Sequence, residues 1–232
     1  MNEFDLIEKY FNWKNLNSDI LGVGDDCALI SIETQHQLAT SVDTLIEDVH
    51  FPKNTSAHDS AYKALAVNLS DLAAMGATPL YFTLALTLPT IDESWLKDFS
   101  SSLKDLSKKY NIQLVGGDTT KGALSITINA TGVLPKDQAL LRSTAKVGDC
   151  IFVSNTMGDA ALAWQQIQNN EKTSPKLLKK FNTPEPQVVL GQKLLGIANS
   201  CIDISDGLEQ DLSHILSKSG VGAKINISDI PL

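Results

Sequence analysis

The chain has 232 residues, of which 43% are hydrophobic, so it is long enough for one large domain or two smaller ones with a real core. Its 27 acidic and 19 basic residues give a net charge of -8, which repels a polyanion and argues against nucleic acid as a partner. The three cysteines are far apart, which argues against a disulfide framework or a zinc ribbon and favours a reducing, cytoplasmic location.

No part of the sequence is predicted to enter a membrane. The first residues lack the basic and then apolar pattern of a signal peptide, and the most apolar run, Leu80 to Leu88, is too short to span a bilayer. Strand and helix signals alternate along the chain without a fixed repeat, which indicates a layered α/β or α+β fold.

The first predicted elements are a strand and a helix. An apolar run from Leu38 to Val42 predicts a buried strand that delivers Asp43 at a turn. Apolar residues then recur at helical spacing from Ala61 to Leu72, and Gly76 is expected to close that helix. Its interior holds the weak helix formers Asn68, Ser70 and Asp71, which indicates either a functional site or an exposed polar face.

A second helix and two strands follow. Trp95 to Tyr110 shows one apolar helical face that Asn111 can end. The run Ile112 to Val115 predicts a buried strand that delivers Asp118 at a turn. From Leu124 to Thr131 apolar and polar residues alternate, which predicts a strand with one buried face at a sheet edge or interface.

The polar, proline-containing stretch that follows predicts a domain boundary near residues 140–148, which divides the chain into domains at 1–140 and 141–232. Beyond it we expect a strand at Cys150 to Ser154 and helices at Asp159 to Gln168, Gln187 to Ala198 and Gly207 to Lys218. The segment Asn169 to Pro186 is expected to be a loop with one short helix.

Aspartate carries most of the chemical signal. Five compact acidic segments include Asp26, Asp43, Asp71, Asp118 and the pair Asp203 and Asp206, several of them beside glycines. A short carboxylate stem suits Mg²⁺, which takes a few carboxylates together with phosphates and waters. If these acids converge, they repel one another unless cations neutralise them, so the pattern predicts bound metal.

The common nucleotide and hydrolase motifs are missing. The sequence contains no Gly-x-x-x-x-Gly-Lys-Ser/Thr loop, no protein-kinase motif set and no Gly-x-Ser-x-Gly elbow. The four histidines show no metal-ligand spacing. Phosphate binding would therefore need a different architecture.

Five blocks in order resemble the thiamine-monophosphate kinase family, which is related to aminoimidazole ribonucleotide synthetase and selenophosphate synthetase. The blocks that carry the resemblance are Gly22 to Ala28, Asp43 to Phe51, Tyr62 to Ala77, Gly116 to Thr120 and Ile202 to Leu208. The resemblance implies ATP-dependent transfer of the γ-phosphoryl group to thiamine phosphate, giving thiamine diphosphate, with several Mg²⁺ ions.

The resemblance also implies roles for individual residues. The implied magnesium ligands are Asp26, Ser41, Asp43, Asp71, Asp118, Asp203 and Asp206. The implied nucleotide contacts are Gly117, Asp118, Arg142 and Ser205, with Tyr110 as a candidate neighbour of the adenine, and His50 is the implied contact to thiamine phosphate. Asp43, Asp71, Asp118 and Arg142 are the predicted catalytic residues.

The chemistry of the reaction agrees with a site of this kind. Phosphoryl transfer depends mainly on positioning and charge neutralisation, and an acceptor phosphate with a second pKa near about 6 needs no strong general base. Arg142 can offer planar donors to an oxygen on which charge develops.

The family fold implies an N-terminal α/β domain whose sheet pairs with a second subunit, and a C-terminal α/β domain that closes over ATP. Family members continue beyond the point that matches Leu232, with residues that contact thiamine. We therefore expect a homodimer with a truncated C-terminal domain, which lowers or abolishes kinase activity.

Two alternatives stay open. The chain could be a related ATP-dependent synthetase of the same superfamily, although the N-terminal region lacks the reactive cysteine expected of a selenophosphate synthetase. It could also be a non-catalytic nucleotide-binding or dimerisation module. Turnover of ATP with thiamine phosphate, compared with ATP binding alone, separates these readings.

Overall fold

The protein, seen in a computed structural model, is a mixed α/β fold, and the structure describes residues 3–13, residue 20 and residues 30–232. The predicted fold class is confirmed. The described elements are α1 (Glu3–Tyr10), β1 (His36–Ile46), α2 (Ala57–Ala74), β2 (Thr78–Leu88), α3 (Glu93–Tyr110), β3 (Gln113–Lys121), β4 (Ser125–Pro135), α4 (Asp159–Gln168), α5 (Pro175–Asn182), α6 (Val188–Leu194), α7 (Leu208–Ser219) and a 3₁₀ turn at Ile227–Asp229.

The four strands form one sheet in the order β1-β4-β2-β3. β4 pairs antiparallel with β1 and with β2, and β2 pairs parallel with β3. Of the two alternatives predicted for the alternating strand, the sheet edge is therefore wrong, because β4 has a partner on each side, whereas an interface stays a prediction. Among the described strands, β1 and β3 lie at the edges of the sheet.

The core lies between one face of this sheet and the helices α2 and α3. Leu65 and Leu69 of α2, Phe99 of α3, and Ile126 and Ile128 of β4 are completely buried. Burial of each such side chain contributes about 1.5–3 kcal/mol. This packing holds α2 against β1 and β4, so side chains of α2 lie next to side chains of those two strands.

The two long helices begin slightly earlier than their predicted apolar faces, at residues preceded by polar caps. The side chain of Ser56 caps α2 by accepting from Asp59 N–H, and Asp92 caps α3 by accepting from two N–H groups of its first turn. Asn111 ends α3 in the left-handed region with φ of 51°, which asparagine tolerates better than most residues. Both helix predictions are confirmed.

Two predicted turns are strands instead. β1 runs on through Asp43 to Ile46, and β3 runs on through Asp118 to Lys121, so neither acid lies at a turn. Asp43 pairs with Ile128 of β4, and pairing of this kind overrides the weak strand propensity of aspartate and glycine. β1 is also less buried than expected, because alternate side chains of this edge strand face solvent.

The C-terminal part of the described chain is helical. α4, α7 and the short helix α5 confirm the predictions for their segments, whereas α6 ends before the predicted Ala198. The strand predicted at Cys150 to Ser154 is wrong: no described strand pairs with it, and Phe152 is 88% exposed. The domain boundary near residue 140 stays a prediction.

Three described elements were not predicted. They are α1, β2, which the sequence indicated only as an apolar run too short to span a bilayer, and the 3₁₀ turn at Ile227–Asp229. In the part of the chain that the structure describes, no helix combines the length and the apolar character needed to cross a bilayer.

Gly117 is required by the pairing of β3 with β2. A Cβ atom at this position would lie 1.9 Å from the carbonyl oxygen of Leu84, whereas a Cβ at Gly116 would meet nothing within 4 Å. We expect Gly117→Ala to lower the free energy of unfolding by about 2 kcal/mol or more, because backbone must move to admit the methyl group. Gly116→Ala is the matched control and should cost much less in urea unfolding. Equal losses of unfolding free energy in the two variants would contradict a close approach of Leu84 O to position 117.

Candidate active site

A cavity of about 200 Å³ opens where β1, α2 and the loop before α7 meet. Four predicted site residues line it: Ser41 from β1, Asp71 from α2, Arg142 from the segment after β4, and Asp203 from the loop before α7. Other lining residues that the sequence did not single out are Ala39, Thr40, Leu72, Ala74, Met75, Cys201 and Ile202. Elements far apart in the chain therefore bring a hydroxyl, two carboxylates and a guanidinium to one cavity.

Asp71 is the centre of this arrangement. Ser41 Oγ donates a hydrogen bond to Asp71 Oδ2, which ties β1 to α2 at the cavity. The weak helix formers of α2 thus differ in their roles. Asn68 is fully buried and its Nδ2 donates to Ala64 O at 3.0 Å, so it belongs to the core, whereas the half-buried Asp71 reaches the cavity.

Asp43 is on β1, the strand that also carries Ser41, and its carboxyl interacts with that of Asp71 on α2. Burial raises the pKa of the Asp43 carboxyl, the negative charge of Asp71 raises it further, and His50 opposes both effects. The two carboxylates therefore share one electrostatic environment. A cation between them would remove the repulsion that their proximity creates.

Asp203 approaches from the loop before α7. Burial raises its pKa to about 6, and the charges of Asp71 and Asp211 act in the same direction, while Arg142 and a backbone N–H lower it. Because Asp43 and Asp203 both respond to Asp71, the three carboxylates form a connected acidic group around the cavity.

The oxygen-rich character of this group fits Mg²⁺. A hard cation prefers carboxylate and hydroxyl oxygens, and Mg²⁺ usually takes only one or two protein carboxylates together with phosphates and waters. Among the described residues, no three His, Cys, Asp or Glu side chains are close enough to hold one metal. The donors at the cavity therefore suit ions shared with a phosphate ligand rather than an all-protein cage.

Some predicted site residues lie elsewhere. Gly117 and Asp118 are on β3, at the sheet edge opposite to β1, and three strand spacings correspond to about 14 Å. Asp118 is exposed and pairs with the exposed Ala85, on the sheet face that does not carry α2. The structure of one chain thus does not bring Asp118 to the cavity.

The remaining predicted residues lie around the periphery. Tyr110 is at the end of α3, where its hydroxyl donates to Pro186 O at 3.3 Å. Ser205 and Asp206 are exposed in the loop that carries Asp203. Asp26 lies outside the described residues.

His50 is exposed in the turn after β1, and its position depends on Lys63. His50 Nδ1 accepts from Ile46 N–H at 2.9 Å, and Lys63 Nζ donates to His50 O at 3.1 Å. The same ammonium lies 3.6 Å from the ring centroid of Phe181, so Lys63 connects the His50 turn with α5. Sequence reasoning missed Lys63, although it lies in one of the family blocks.

Burial lowers the pKa of Lys63 to about 8. Between that value and the ordinary pKa of lysine the unfolded chain binds more protons than the folded one, so stability rises with pH across this window. We expect the free energy of unfolding of the wild type to rise relative to that of Lys63→Met by up to about 1 kcal/mol per pH unit between pH 8 and 10. Urea unfolding at several pH values measures it. Lys97→Met is the control, because Lys97 is exposed. If the difference in free energy of unfolding between wild type and Lys63→Met did not change with pH, a lowered pKa of Lys63 would be contradicted.

Comparison with known proteins gives the same family from several directions. The family described as AIR synthase related protein, N-terminal domain, matches residues 24–134. The chain is 48% identical to the thiamine-monophosphate kinase of Haemophilus influenzae over 238 residues, covering 100% of this chain and 73% of that protein. The thiamine-monophosphate kinase of Escherichia coli K12 is 49% identical over 236 residues, with 99% of this chain and 73% of that protein covered.

Solved structures agree with the sequence comparison. The thiamine-monophosphate kinase of Stenotrophomonas maltophilia K279a superposes with a TM-score of 0.88 and 40% identity, covering 99% of this chain and 74% of that one. AaThiL complexed with AMPPCP and TMP superposes with a TM-score of 0.76 and 28% identity, covering 94% and 69%. Nearly half of its residues are identical to those of the Haemophilus influenzae and Escherichia coli enzymes over almost its whole length, so the chain belongs to the thiamine-monophosphate kinase family.

Proposed function

We propose that this chain phosphorylates thiamine phosphate to thiamine diphosphate with ATP as the phosphoryl donor. The observation that carries the proposal is the cavity at which Ser41, Asp71 and Asp203 meet Arg142. Family membership supports the choice of substrates, because the relative AaThiL is solved with AMPPCP and TMP.

We propose that Mg²⁺ ions act at this cavity, each shared between ATP phosphates and one or two of the carboxylates of Asp43, Asp71 and Asp203, with the Ser41 hydroxyl as a further ligand. Mg²⁺ bound there would neutralise the charge that develops during phosphoryl transfer. The protein supplies the geometry: the Ser41–Asp71 hydrogen bond orients one carboxylate, and Asp203 presents a second, partly buried carboxylate at the cavity. Asp26, Asp118 and Asp206 are further proposed ligands.

Arg142 and His50 are proposed to orient the two phosphates. Arg142 is exposed at the cavity, so its planar donors can reach an incoming nucleotide. The other proposed nucleotide-binding residues are Gly117, Asp118, Ser205 and Tyr110. His50 is held by Ile46 N–H and Lys63 beside Asp43, which suits a contact to thiamine phosphate. Because the acceptor phosphate is already largely ionised at neutral pH, no general base is required.

We propose that the chain forms a homodimer through the outer face of its sheet. Leu38, Val42 and Ile46 of β1 are 42%, 57% and 39% exposed, and they alternate along the strand with less exposed residues of the opposite face. Threonine pairs such as Thr40 with Thr131 satisfy their hydroxyls within this face, which leaves it apolar enough to bury. Asp118 lies on the same face, so a second copy would change its surroundings.

We make two further proposals, on location and on domain organisation. A cytoplasmic location is proposed because Cys150 and Cys201, in the described part of the chain, are free thiols, as is usual in a reducing compartment. A domain boundary near residue 140 fits the position of the whole sheet before Lys136 and of α4 to α7 after it.

The decisive experiment incubates the chain with ATP, Mg²⁺ and thiamine phosphate and measures thiamine diphosphate and ADP. We expect thiamine diphosphate and ADP in equal amounts, even where the rate is as low as the sequence predicts. Nucleotide binding without product would favour a non-catalytic module, and ADP formed only with a different acceptor would favour a related synthetase. Either result would overturn the proposed reaction.

A further inference from the structure

The loop that carries Asp203 is hydrogen-bonded to a buried aspartate, Asp211, which has no role in the proposed reaction as described above. Asp211, in the first turn of α7, is only 4% exposed. Its Oδ2 accepts hydrogen bonds from three consecutive backbone N–H groups, those of Ser205 at 2.9 Å, Asp206 at 3.1 Å and Gly207 at 3.1 Å.

This arrangement replaces an ordinary helix cap. Gly207, which precedes α7, has no side chain to cap the helix, and its φ of 121° lets the chain turn so that the three N–H groups point inward. A carboxylate that accepts several N–H groups forms charge-assisted bonds, which are about twice as strong as neutral ones. The loop 203–207 is therefore bound to α7 by one carboxylate oxygen.

The other end of α7 is bound to the segment that carries Arg142. The last residue of the helix is Ser219, and its Oγ donates to Arg142 O at 2.8 Å. Arg142 and Asp203 both line the cavity. α7 thus connects the segment that presents the guanidinium with the loop that presents the carboxylate.

We propose that Asp211 is a positioning residue that fixes the loop 203–207 so that Asp203 stays at the cavity for Mg²⁺ and nucleotide. The proposal rests on the proposed function, because it assigns Asp211 to the nucleotide side of that site. Asp211 is buried, does not line the cavity and has its Oδ2 occupied by three N–H groups of the loop, so we assign it to act through Asp203 rather than by contact with the reacting phosphates.

The test compares Asp211→Ala, which leaves three N–H groups without an acceptor, with Asp211→Asn, which keeps an acceptor oxygen without the charge. Glu209→Gln is the matched control, because it removes an exposed carboxylate from the same helical turn. If Asp211→Ala does not fold, Asp211→Asn still reports on the loop.

The first measurement is amide hydrogen exchange without ligand. We expect the amides of Ser205, Asp206 and Gly207 to exchange at least about 10-fold faster in Asp211→Ala, with Asp211→Asn intermediate and Glu209→Gln unchanged. Unchanged exchange in Asp211→Ala would overturn the proposal. This readout does not depend on the reaction, so it remains valid if no thiamine diphosphate is formed.

The second measurement is the Mg²⁺ concentration at half-saturation, both for binding of an ATP analogue and for turnover. We expect it to rise about 10-fold to 100-fold in Asp211→Ala and less in Asp211→Asn, while the KM for thiamine phosphate stays within about 2-fold. Wild-type Mg²⁺ dependence, or an equal change in both KM values, would reduce Asp211 to a residue needed for folding. Absence of turnover in the wild type would instead contradict the proposed function.

Discussion

We expect Asp71→Asn to lower kcat/KM for ATP on the order of 10³-fold without destabilising the fold. Asp71 accepts from Ser41, lines the cavity and acts electrostatically on both Asp43 and Asp203, so its charge belongs to the group that would hold the metal. Loss of one preorganised electrostatic contact commonly costs about 10²–10³-fold in rate.

The effect on stability should have the opposite sign. The charge of Asp71 opposes ionisation of both Asp43 and Asp203, so its removal relieves repulsion when no metal is present, and the free energy of unfolding of Asp71→Asn should stay the same or rise by about 1 kcal/mol. Thermal unfolding with a chelator measures this. Asp98→Asn is the control, because Asp98 is an exposed aspartate inside α3. A variant with wild-type turnover, or one that unfolds more easily, would return Asp71 to the polar surface of α2.

The second large effect is expected from removal of Mg²⁺. We expect a non-hydrolysable ATP analogue to bind on the order of 10²–10³-fold more weakly in the presence of a chelator. The chain carries a net charge of -8, and the cavity brings together Asp71 and Asp203 with Arg142 as its only cationic side chain among the described lining residues. A triphosphate therefore meets net repulsion unless a cation intervenes.

Calorimetry with and without a chelator measures this difference. Sodium chloride at matched ionic strength is the control, because general screening extends over about 10 Å at 0.1 M and acts equally in both samples. Equal affinities in the two conditions would show that the nucleotide is held by Arg142 and backbone groups without metal.

Local sequence signals predicted the elements whose stability is decided within a few turns of chain. The 3.6-residue spacing of apolar side chains from Trp95 to Tyr110, with a capping Asp92 and a closing Asn111, gives α3 its observed bounds. The alternation in β4 likewise reports the buried face that packs on α2. The sequence also predicted acids of the family blocks as site residues, and two of them, Asp71 and Asp203, line one cavity together with Ser41 and Arg142.

Tertiary structure decided what depends on partners distant in the chain. Asp43 lies mid-strand because β4 pairs with its backbone, and β4 is central because β2 and β1 occupy both of its sides. Asp118 is separated from the cavity by the strand order, which no local pattern specifies. The role of Asp211 depends on three backbone N–H groups that a loop turns toward it. In each case at least one partner is a backbone group, which has the same chemistry in nearly every residue, so these arrangements leave little trace in the sequence and emerge only when the chain is folded.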